Sequence, residues 1–247
     1  MRILYLSPWF PYPLDTGSRV RVYHLLRALA GRHRVTLLTL DPKGWAPADV
    51  EALAPLCEEA IRVPRDPFCR GRWRLATRFL SLRPVVAVPF PQVVRRAQAL
   101  HAREPFDLVV AATGVMAAYA LALPGVVRVL EEHNSLTRML WDRYRAQTSA
   151  LQRLRCWASW RKAALYEARL FRRFDLVTMV SELDAAGGRG LLPARSPPVE
   201  VFANGVDCDA FRPGLAGPQP GRLVFGGALS YQANYEAVEF FLGAVLP

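Results

Sequence analysis

Residues 2–40 read RILYLSPWFPYPLDTGSRVRVYHLLRALAGRHRVTLLTL. Arg2–Ser7 is a short apolar run typical of a buried parallel strand, and residues 33–40 indicate a second strand. Between them lies a predicted helix, capped by Ser18 and ended by Gly31, with an apolar face of Val22, Leu25, Leu26 and Leu29. Because strand, helix and strand pack with a right-handed crossover, this stretch predicts a parallel sheet covered by helices.

The same order of elements continues to residue 203. Further strands are predicted at residues 60–63, 107–111, 126–130, 175–180 and 199–202. Further helices are predicted at residues 47–59, 115–123 and 181–192, while residues 137–174 form one long helix or two abutting ones. The sequence therefore predicts an α/β fold, a Rossmann-like doubly wound parallel sheet, over residues 1–203.

The composition changes after residue 203. Six prolines and glycines between residues 211 and 222 are typical of a linker: Pro213, Gly214, Gly217, Pro218, Pro220 and Gly221. Residues 223–225 then predict a strand and residues 235–246 a helix. One strand and one helix cannot bury their own apolar faces. We therefore expect residues 204–222 to be an interdomain hinge and residues 223–247 to begin a truncated second domain.

The chain is basic, with 32 Lys and Arg residues against 21 Asp and Glu residues and a formal net charge of +11. Such a charge favours anionic partners, whether nucleic acid, lipid or a phosphorylated ligand, and does not choose among them. The four cysteines form no C-x-x-C pair, and no histidine stands at metal-ligand spacing. We therefore expect reduced thiols in a cytoplasmic protein and no metal.

Several enzyme classes lack their motifs in this sequence. No G-x-G-x-x-G follows the first strand, and neither a Walker A motif nor a G-x-S-x-G elbow occurs, which disfavours NAD-dependent enzymes, P-loop NTPases and α/β-hydrolases. The 20 uncharged residues 108–127 are long enough to cross a bilayer. Thr113-Gly114 and Pro124-Gly125 interrupt them, so we predict strand, helix and strand instead.

Two loops that follow predicted strands are candidate sites, because ligands of a doubly wound sheet collect there. In the first loop, Gly17 opens a helix beside Arg19 and Arg21, which forms either a phosphate site or an ordinary turn. The second loop holds five polar residues in a row: Glu131, Glu132, His133, Asn134 and Ser135. Its histidine can donate a hydrogen bond to a hydroxyl group or accept a proton, with Glu132 or Glu131 orienting the imidazole. The alternative is a loop of solvated residues.

Asn204-Gly205-Val206-Asp207 follows the last predicted strand, with Phe211 and Pro213 after it. This spacing resembles the N-G-V-D-x-x-x-F-x-P signature between the two domains of family-four-type retaining glycosyltransferases. Residues 175–182 resemble the D-x-V-x-x-V-S-E strand that precedes this hinge in the family. Looser resemblances at the N-terminus and at residues 223–229 extend the likeness over the whole chain.

The resemblance implies a GT-B fold, in which residues 1–203 form the acceptor-side domain. It implies that His133 is the active-site histidine near the transferred sugar. The implied contacts of the donor diphosphate are Gly17, Gly226 and Gly227. Residues assigned to the acceptor or to orientation are Glu132, Asn134 and Arg19. The implied hinge residues are Asn204, Gly205 and Asp207.

Three features depart from the family pattern. Thr16 stands where the family often has a second glycine. The basic pair of the donor-domain loop is replaced by Gly227-Ala228-Leu229 and Asn234. The family's pair of glutamates, which binds the donor ribose and sugar, lies downstream in the family pattern. We therefore expect this chain not to turn over alone.

The resemblance further implies transfer of a sugar from a nucleotide-sugar donor to a glycan or lipid-linked acceptor, with retention of configuration. Bacterial enzymes of exopolysaccharide or cell-envelope glycan synthesis are the implied relatives. The departing phosphate is the implied base, so no protein nucleophile and no cofactor are required. We expect a cytoplasmic protein, peripheral on the inner face of the plasma membrane, without a nucleic-acid partner.

Residues 138–173 hold ten basic residues against Asp142 and Glu167, interleaved with Trp141, Tyr144, Trp157, Trp160 and Tyr166. This pattern fits either a helix lying on an anionic membrane or a solvated basic face whose aromatic side chains pack inward. Residues 65–98 are also basic and aromatic. They predict either a helical insertion packed on the sheet or a lid.

The alternative from another functional class is a non-catalytic module with half a GT-B fold that binds a membrane or a protein partner. The absence of donor-binding residues favours this module if the natural chain ends at Pro247. A nucleotide-sugar epimerase of the same architecture is disfavoured by the hinge signature. Nucleic-acid binding rests on charge alone.

Overall fold

The structure is a computed structural model that describes residues 1–41, 44, 46–67, 89–214, 217, 219–229 and 231–246. The chain divides into two compact units, Met1–Asn204 and Gly205–Pro247. Most of the basic segment at residues 65–98 lies outside the described residues.

The first unit is built on one parallel sheet, which has seven strands in the part of the chain that the structure describes. The strands are β1 (Arg2–Ser7), β2 (Arg34–Leu40), β3 (Glu59–Val63), β4 (Leu108–Ala112), β5 (Val127–Glu131), β6 (Leu176–Met179) and β7 (Val199–Val201). Their order across the sheet is β3-β2-β1-β4-β5-β6-β7, and every neighbouring pair is parallel. The predicted doubly wound sheet is confirmed, and its order reverses between β1 and β4.

Helices connect the strands. They are α1 (Gly17–Ala30), α2 (Pro47–Leu53), α3 (Pro91–Arg103), α4 (Ala117–Ala120), α5 (Leu136–Arg145), α6 (Ala150–Phe171) and α7 (Glu182–Gly190). Two buried clusters lie on opposite faces of the sheet, because alternate residues of a strand point to opposite sides. Ile3 and Tyr5 pack with α1 and α2, whereas Leu4 and Leu6 pack with α3, α4 and α6.

Local details of the first unit differ from the sequence prediction. The N-cap of α1 is Thr16, whose hydroxyl accepts from the backbone N–H of Arg19 at 3.5 Å, so the predicted cap Ser18 is wrong. Of the two alternatives left open for residues 137–174, the structure has the second, two successive helices. The predicted helix at residues 115–123 reduces to α4 with flanking turns. The 20 uncharged residues form β4, α4 and the start of β5, and within the described ranges no helix is long and apolar enough to span a membrane.

The second unit contains helix α8 (Gln232–Phe240), which continues into a π-helical turn at Phe241–Val245. The predicted strand at residues 223–225 is wrong, because these residues are exposed and form no strand. A strand needs a neighbour to satisfy its backbone groups, and no strand of the described part of this unit supplies one.

A buried carboxylate on α6 holds the start of α5. The carboxylate of Glu167, on α6, accepts from the backbone N–H groups of Leu136 at 2.9 Å and Thr137 at 3.0 Å. These are N–H groups that the first turn of a helix leaves without a partner. Burial raises the pKa of Glu167, and the hydrogen bonds oppose that rise.

Glu132 lies four residues before the first residue of this helix and is also buried. Burial raises its pKa well above the ordinary value, the charges of Glu167 and Glu131 raise it further, and a backbone hydrogen bond from Gly114 lowers it. A carboxyl with a raised folded-state pKa contributes stability below its unfolded pKa. That stability is lost as the pH rises through the folded value.

Glu132→Gln is therefore expected to raise the free energy of unfolding at pH 8, by about 1 kcal/mol if the cost is that of one poorly compensated buried polar group. At pH 4 both side chains are neutral and the difference should largely vanish. Urea unfolding at the two pH values measures this difference. Glu51→Gln, at an exposed position of α2, is the matched control and should show neither effect. Equal stability of Glu132→Gln and wild type at pH 8 would contradict the assignment.

Candidate active site

Polar side chains from β1, α1 and β5 meet at the carboxyl end of the sheet. His133 follows β5 and is only 8% exposed. Its Nε2 lies 3.1 Å from Oε2 of Glu131, and its Nδ1 lies 3.3 Å from the hydroxyl of Ser18 on α1. The ring of Trp9 stands beside the imidazole, with 5.8 Å between ring centroids. The histidine is thus fixed on several sides by residues from both ends of the β1–α1 loop.

The carboxylate of Glu131 is the centre of this cluster. Its Oε1 accepts from Nε of Arg21 at 2.5 Å, and its Oε2 accepts from the hydroxyl of Tyr5 at 3.0 Å. Burial by itself raises the pKa of Glu131, but the hydrogen bonds and positive charge of His133 and Arg21 outweigh burial and hold the pKa below its ordinary value. Burial, followed by the charge of Glu131, raises the pKa of the Tyr5 hydroxyl well above its usual range.

These contacts fix the tautomer of the neutral imidazole. An ionised carboxylate only accepts hydrogen bonds, so Nε2 of His133 carries the proton that it donates to Glu131. In this neutral form Nδ1 keeps its lone pair and accepts from the Ser18 hydroxyl, whereas a protonated ring would donate from both nitrogens. The site therefore presents an oriented imidazole coupled to a hydroxyl group, an arrangement that can bind or relay a proton at a substrate hydroxyl.

Of the two glutamates considered from sequence, Glu131 is the one that bonds the imidazole. Glu132 instead accepts a backbone hydrogen bond from Gly114 and is affected by the charge of the buried Glu167. Asn134 is exposed. Arg19 is paired with the exposed Asp15 at 2.9 Å and contributes no described bond to the histidine cluster.

The predicted diphosphate and hinge residues lie in both units. Gly17 is the exposed first residue of α1, and a Cβ added there would meet no atom within 4 Å. Asn204 belongs to the first unit, where its side-chain oxygen accepts from Arg21 at 2.9 Å.

The other predicted residues of this kind belong to the second unit: Gly205, Asp207, Gly226 and Gly227. The carboxylate of Asp207 accepts from the N–H groups of Asp209 and Ala210, which closes a tight turn. A Cβ at Gly227 would stand 2.7 Å from the side-chain nitrogen of Asn234, whereas Gly226 is open.

The end of β4 is strained beside this cluster. Thr113 adopts a φ of 67°, which β-branched residues rarely do, and its N–H donates to the backbone oxygen of Glu131 at 2.7 Å. Its hydroxyl has no hydrogen-bond partner among the described residues. Such strain persists where the surroundings hold it in place, and it is common at functional sites.

Sequence reasoning did not assign four residues of the cluster: Tyr5, Trp9, Ser18 and Arg21. The spacing of Ser18 and Arg21, three residues apart on α1, puts them on one helix face and was the available signal. Among the residues that the structure describes, no three His, Cys, Asp or Glu side chains form a group suited to a metal ion.

Solved structures with the same fold are glycosyltransferases. UGT71G1 of Medicago truncatula, in complex with UDP-glucose, is 15% identical over 98% of this chain and 56% of its own, with a TM-score of 0.50. A UDP-glucosyltransferase of Polygonum tinctorium is 11% identical over 89% and 55%, with a TM-score of 0.50. This chain therefore spans about half the length of these two structures.

Sucrose-phosphate synthase of Thermosynechococcus elongatus is 17% identical over 85% of this chain and 92% of the solved chain, with a TM-score of 0.48. No curated protein sequence gives a significant match. The family model described as Glycosyltransferase Family 4 matches residues 16–210, which is most of the chain and includes α1, the His133 loop and the hinge signature. The chain therefore belongs to Glycosyltransferase Family 4, and its parallel sheet is the Rossmann-like fold of GT-B enzymes.

Proposed function

We propose that this chain supplies the acceptor-side half of a retaining sugar transferase that takes a nucleotide-sugar donor and a glycan or lipid-linked acceptor. Exopolysaccharide or cell-envelope glycan synthesis is the proposed pathway class. The observation that carries the proposal is the oriented imidazole of His133, held between Glu131 and Ser18 at the carboxyl end of the sheet. Family membership supports the reaction class.

The start of α1 is the proposed contact for the donor diphosphate. Its first-turn N–H groups carry partial positive charge, and Gly17 leaves open space over them. A diphosphate leaving group gains negative charge as the bond to the sugar breaks, so fixed N–H dipoles stabilise the transition state more than the ground state. Gly226 and Gly227 are proposed as further diphosphate contacts.

Same-face attack is the proposed source of retention. The departing phosphate removes the proton of the acceptor hydroxyl, so the reaction needs no protein nucleophile and no cofactor. A hydroxyl of the transferred sugar is proposed to replace the Ser18 hydroxyl at Nδ1 of His133, while Nε2 stays bonded to Glu131. Glu131 is proposed to position the imidazole as an ionised carboxylate, because its partners outweigh burial and hold its pKa below the ordinary value.

His133→Ala is expected to reduce sugar transfer by about 10²-fold, in the range lost with one hydrogen-bonding group that stabilises a transition state. The assay uses the longest reading frame containing these residues. Release of nucleoside diphosphate from UDP-glucose, UDP-galactose or GDP-mannose is followed by mass spectrometry with a bacterial lipid extract as acceptor. His33→Ala, before β2 at the amino end of the sheet, is the matched control and should retain wild-type rates. Undiminished transfer by His133→Ala would contradict the proposal.

The 247-residue chain alone is expected to be inactive, and robust transfer by it would refute that expectation.

A membrane-contact face is proposed on the helical pair α5–α6. Trp141 packs against Trp160 with ring centroids 4.7 Å apart, and Tyr144 stacks on the same ring at 6.4 Å, so these aromatic side chains pack against one another. Other apolar side chains of α6 remain in solvent: Leu151 is 78%, Leu154 61% and Trp157 44% exposed. Their spacing of three residues places them on one face of the helix.

The charge around this face favours an anionic lipid surface as its occupant. Residues 136–166 hold seven basic residues and one acidic residue. Arg153 and Arg155 are exposed and interleave with the apolar side chains of the lipid face, which we define as Leu151, Arg153, Leu154, Arg155 and Trp157. Apolar side chains between basic ones suit a helix lying at the headgroup boundary.

We expect the chain to sediment with vesicles of phosphatidylcholine and phosphatidylglycerol at low salt and to bind pure phosphatidylcholine weakly. Replacing Arg153 and Arg155 with Gln should weaken binding about thirty-fold, since each arginine near the surface contributes about 1 kcal/mol. Replacing Leu151 and Leu154 with Ser should also weaken it. The control replaces Arg95 and Arg96 of α3 with Gln, and it removes the same charge. Absence of binding at low salt would reject this face, and an equal loss in the control would leave only a general charge effect.

The alternative is a non-catalytic module that uses this face to bind a membrane or a protein partner. The two measurements separate the possibilities. Vesicle binding without sugar transfer from any donor favours the module, whereas transfer that depends on His133 favours the enzyme.

A further inference from the structure

Arg21 joins two parts of the first unit that are far apart in sequence. It lies on α1, 110 residues before Glu131 and 183 residues before Asn204. Its side chain is only 7% exposed. Three nitrogen atoms of one guanidinium therefore make bonds in a place with little water to replace any of them.

Each nitrogen of the guanidinium has a separate acceptor. Nε donates to Oε1 of Glu131 at 2.5 Å, Nη2 donates to the backbone oxygen of Phe202 at 2.7 Å, and Nη1 donates to Oδ1 of Asn204 at 2.9 Å. The guanidinium also lies 5.4 Å from the centre of the Phe202 ring. A lysine ammonium is a compact charge on a flexible stem and cannot reproduce this planar fork.

The two ends of this fork serve different structures. Glu131 is the carboxylate that holds Nε2 of His133. Phe202 and Asn204 form the segment that leaves β7, and Asn204 is the last residue of the first unit. Phe202 is itself anchored to the sheet by its N–H, which donates to the backbone oxygen of Met179 at 2.8 Å. Asn204, two residues further on, has its described side-chain bond to Arg21.

We propose that Arg21 is a positioning residue that couples the exit segment Phe202–Asn204 to the orientation of His133 through Glu131. With Asn204 in place, the guanidinium is fixed, Glu131 is fixed by it, and the imidazole keeps its Nε2–H contact. When Asn204 moves, the fork loses one of its three acceptors, and the guanidinium is held less firmly against Glu131. The chain just before Gly205 thereby regulates the candidate site. This inference rests on the proposed role of His133, but the contacts that carry it do not depend on sugar transfer.

The test follows the imidazole directly by NMR of the 247-residue chain, whose four histidines are His24, His33, His101 and His133. Long-range ¹H–¹⁵N spectra report which ring nitrogen carries the proton. Wild type is expected to show His133 as the Nε2–H tautomer. Asn204→Ala leaves Arg21 and Glu131 intact, yet it should shift the ring signals of His133 more than those of His33 or His101.

Arg21→Lys keeps the charge near Glu131, so the fold should persist, and it should shift the same His133 signals. The double variant Arg21→Lys with Asn204→Ala should shift the His133 signals little more than either single variant. Both changes interrupt the same series of contacts from Asn204 through Arg21 to Glu131. Arg27→Lys, at an exposed position of the same helix, is the matched control and should leave His133 unchanged. Arg21→Gln is a harsher variant, interpretable only if circular dichroism shows a folded chain.

Two results would overturn the proposal: unchanged His133 signals in folded Asn204→Ala, or fully additive shifts in the double variant. Because this readout needs no donor or acceptor, it stands apart from the test of sugar transfer. Loss of transfer in His133→Ala with no coupling to Asn204 would leave the transferase proposal intact and reject this one.

Discussion

The negative charge of a buried carboxylate must be compensated by hydrogen-bond donors or positive charge close to it. In this domain three side chains do so for Glu131. It accepts from Arg21, Tyr5 and His133, which come from α1, β1 and the loop after β5. Removal of any one donor leaves the charge less compensated, and a buried charge without a partner is strongly destabilising. The same requirement that holds the three segments together also fixes the imidazole.

Adjacent glutamates at the end of β5 have opposite electrostatic roles. Glu131 lies on the side of the sheet that faces Tyr5 and α1, where a guanidinium and an imidazole keep its pKa low. Glu132 faces the start of α5 and the carboxylate of Glu167, where burial and like charge raise its pKa. The alternation of a strand explains the division, since neighbouring residues point to opposite faces. One side serves the candidate site and the other side anchors a helix.

The sheet was predictable because its strands are short apolar runs separated by amphipathic helices, and these periods depend on local sequence alone. The prediction of a strand at residues 223–225 was wrong because a strand forms only beside a partner strand, and local sequence carries no information about that partner. The loop containing His133 was identified from its position after a strand. The sequence left open whether Glu131 or Glu132 bonds the imidazole of His133. The answer depends on which face of the sheet the last residue of β5 points to, and that is set by the tertiary structure. Arg21 was recognised only as nearby charge, since its acceptors lie more than a hundred residues away.

The region that matches the family begins at residue 16, the N-cap of α1, and ends at residue 210, just past the exit of the first unit. Arg21 brings these two ends of the matched region together around one carboxylate. Asn204 lies three residues after the end of β7, so this contact depends on β7 being in place. The guanidinium therefore connects completion of the sheet to orientation of the imidazole. In this proposal Arg21 on α1 and Asn204 of the hinge signature together set the geometry at the end of β5.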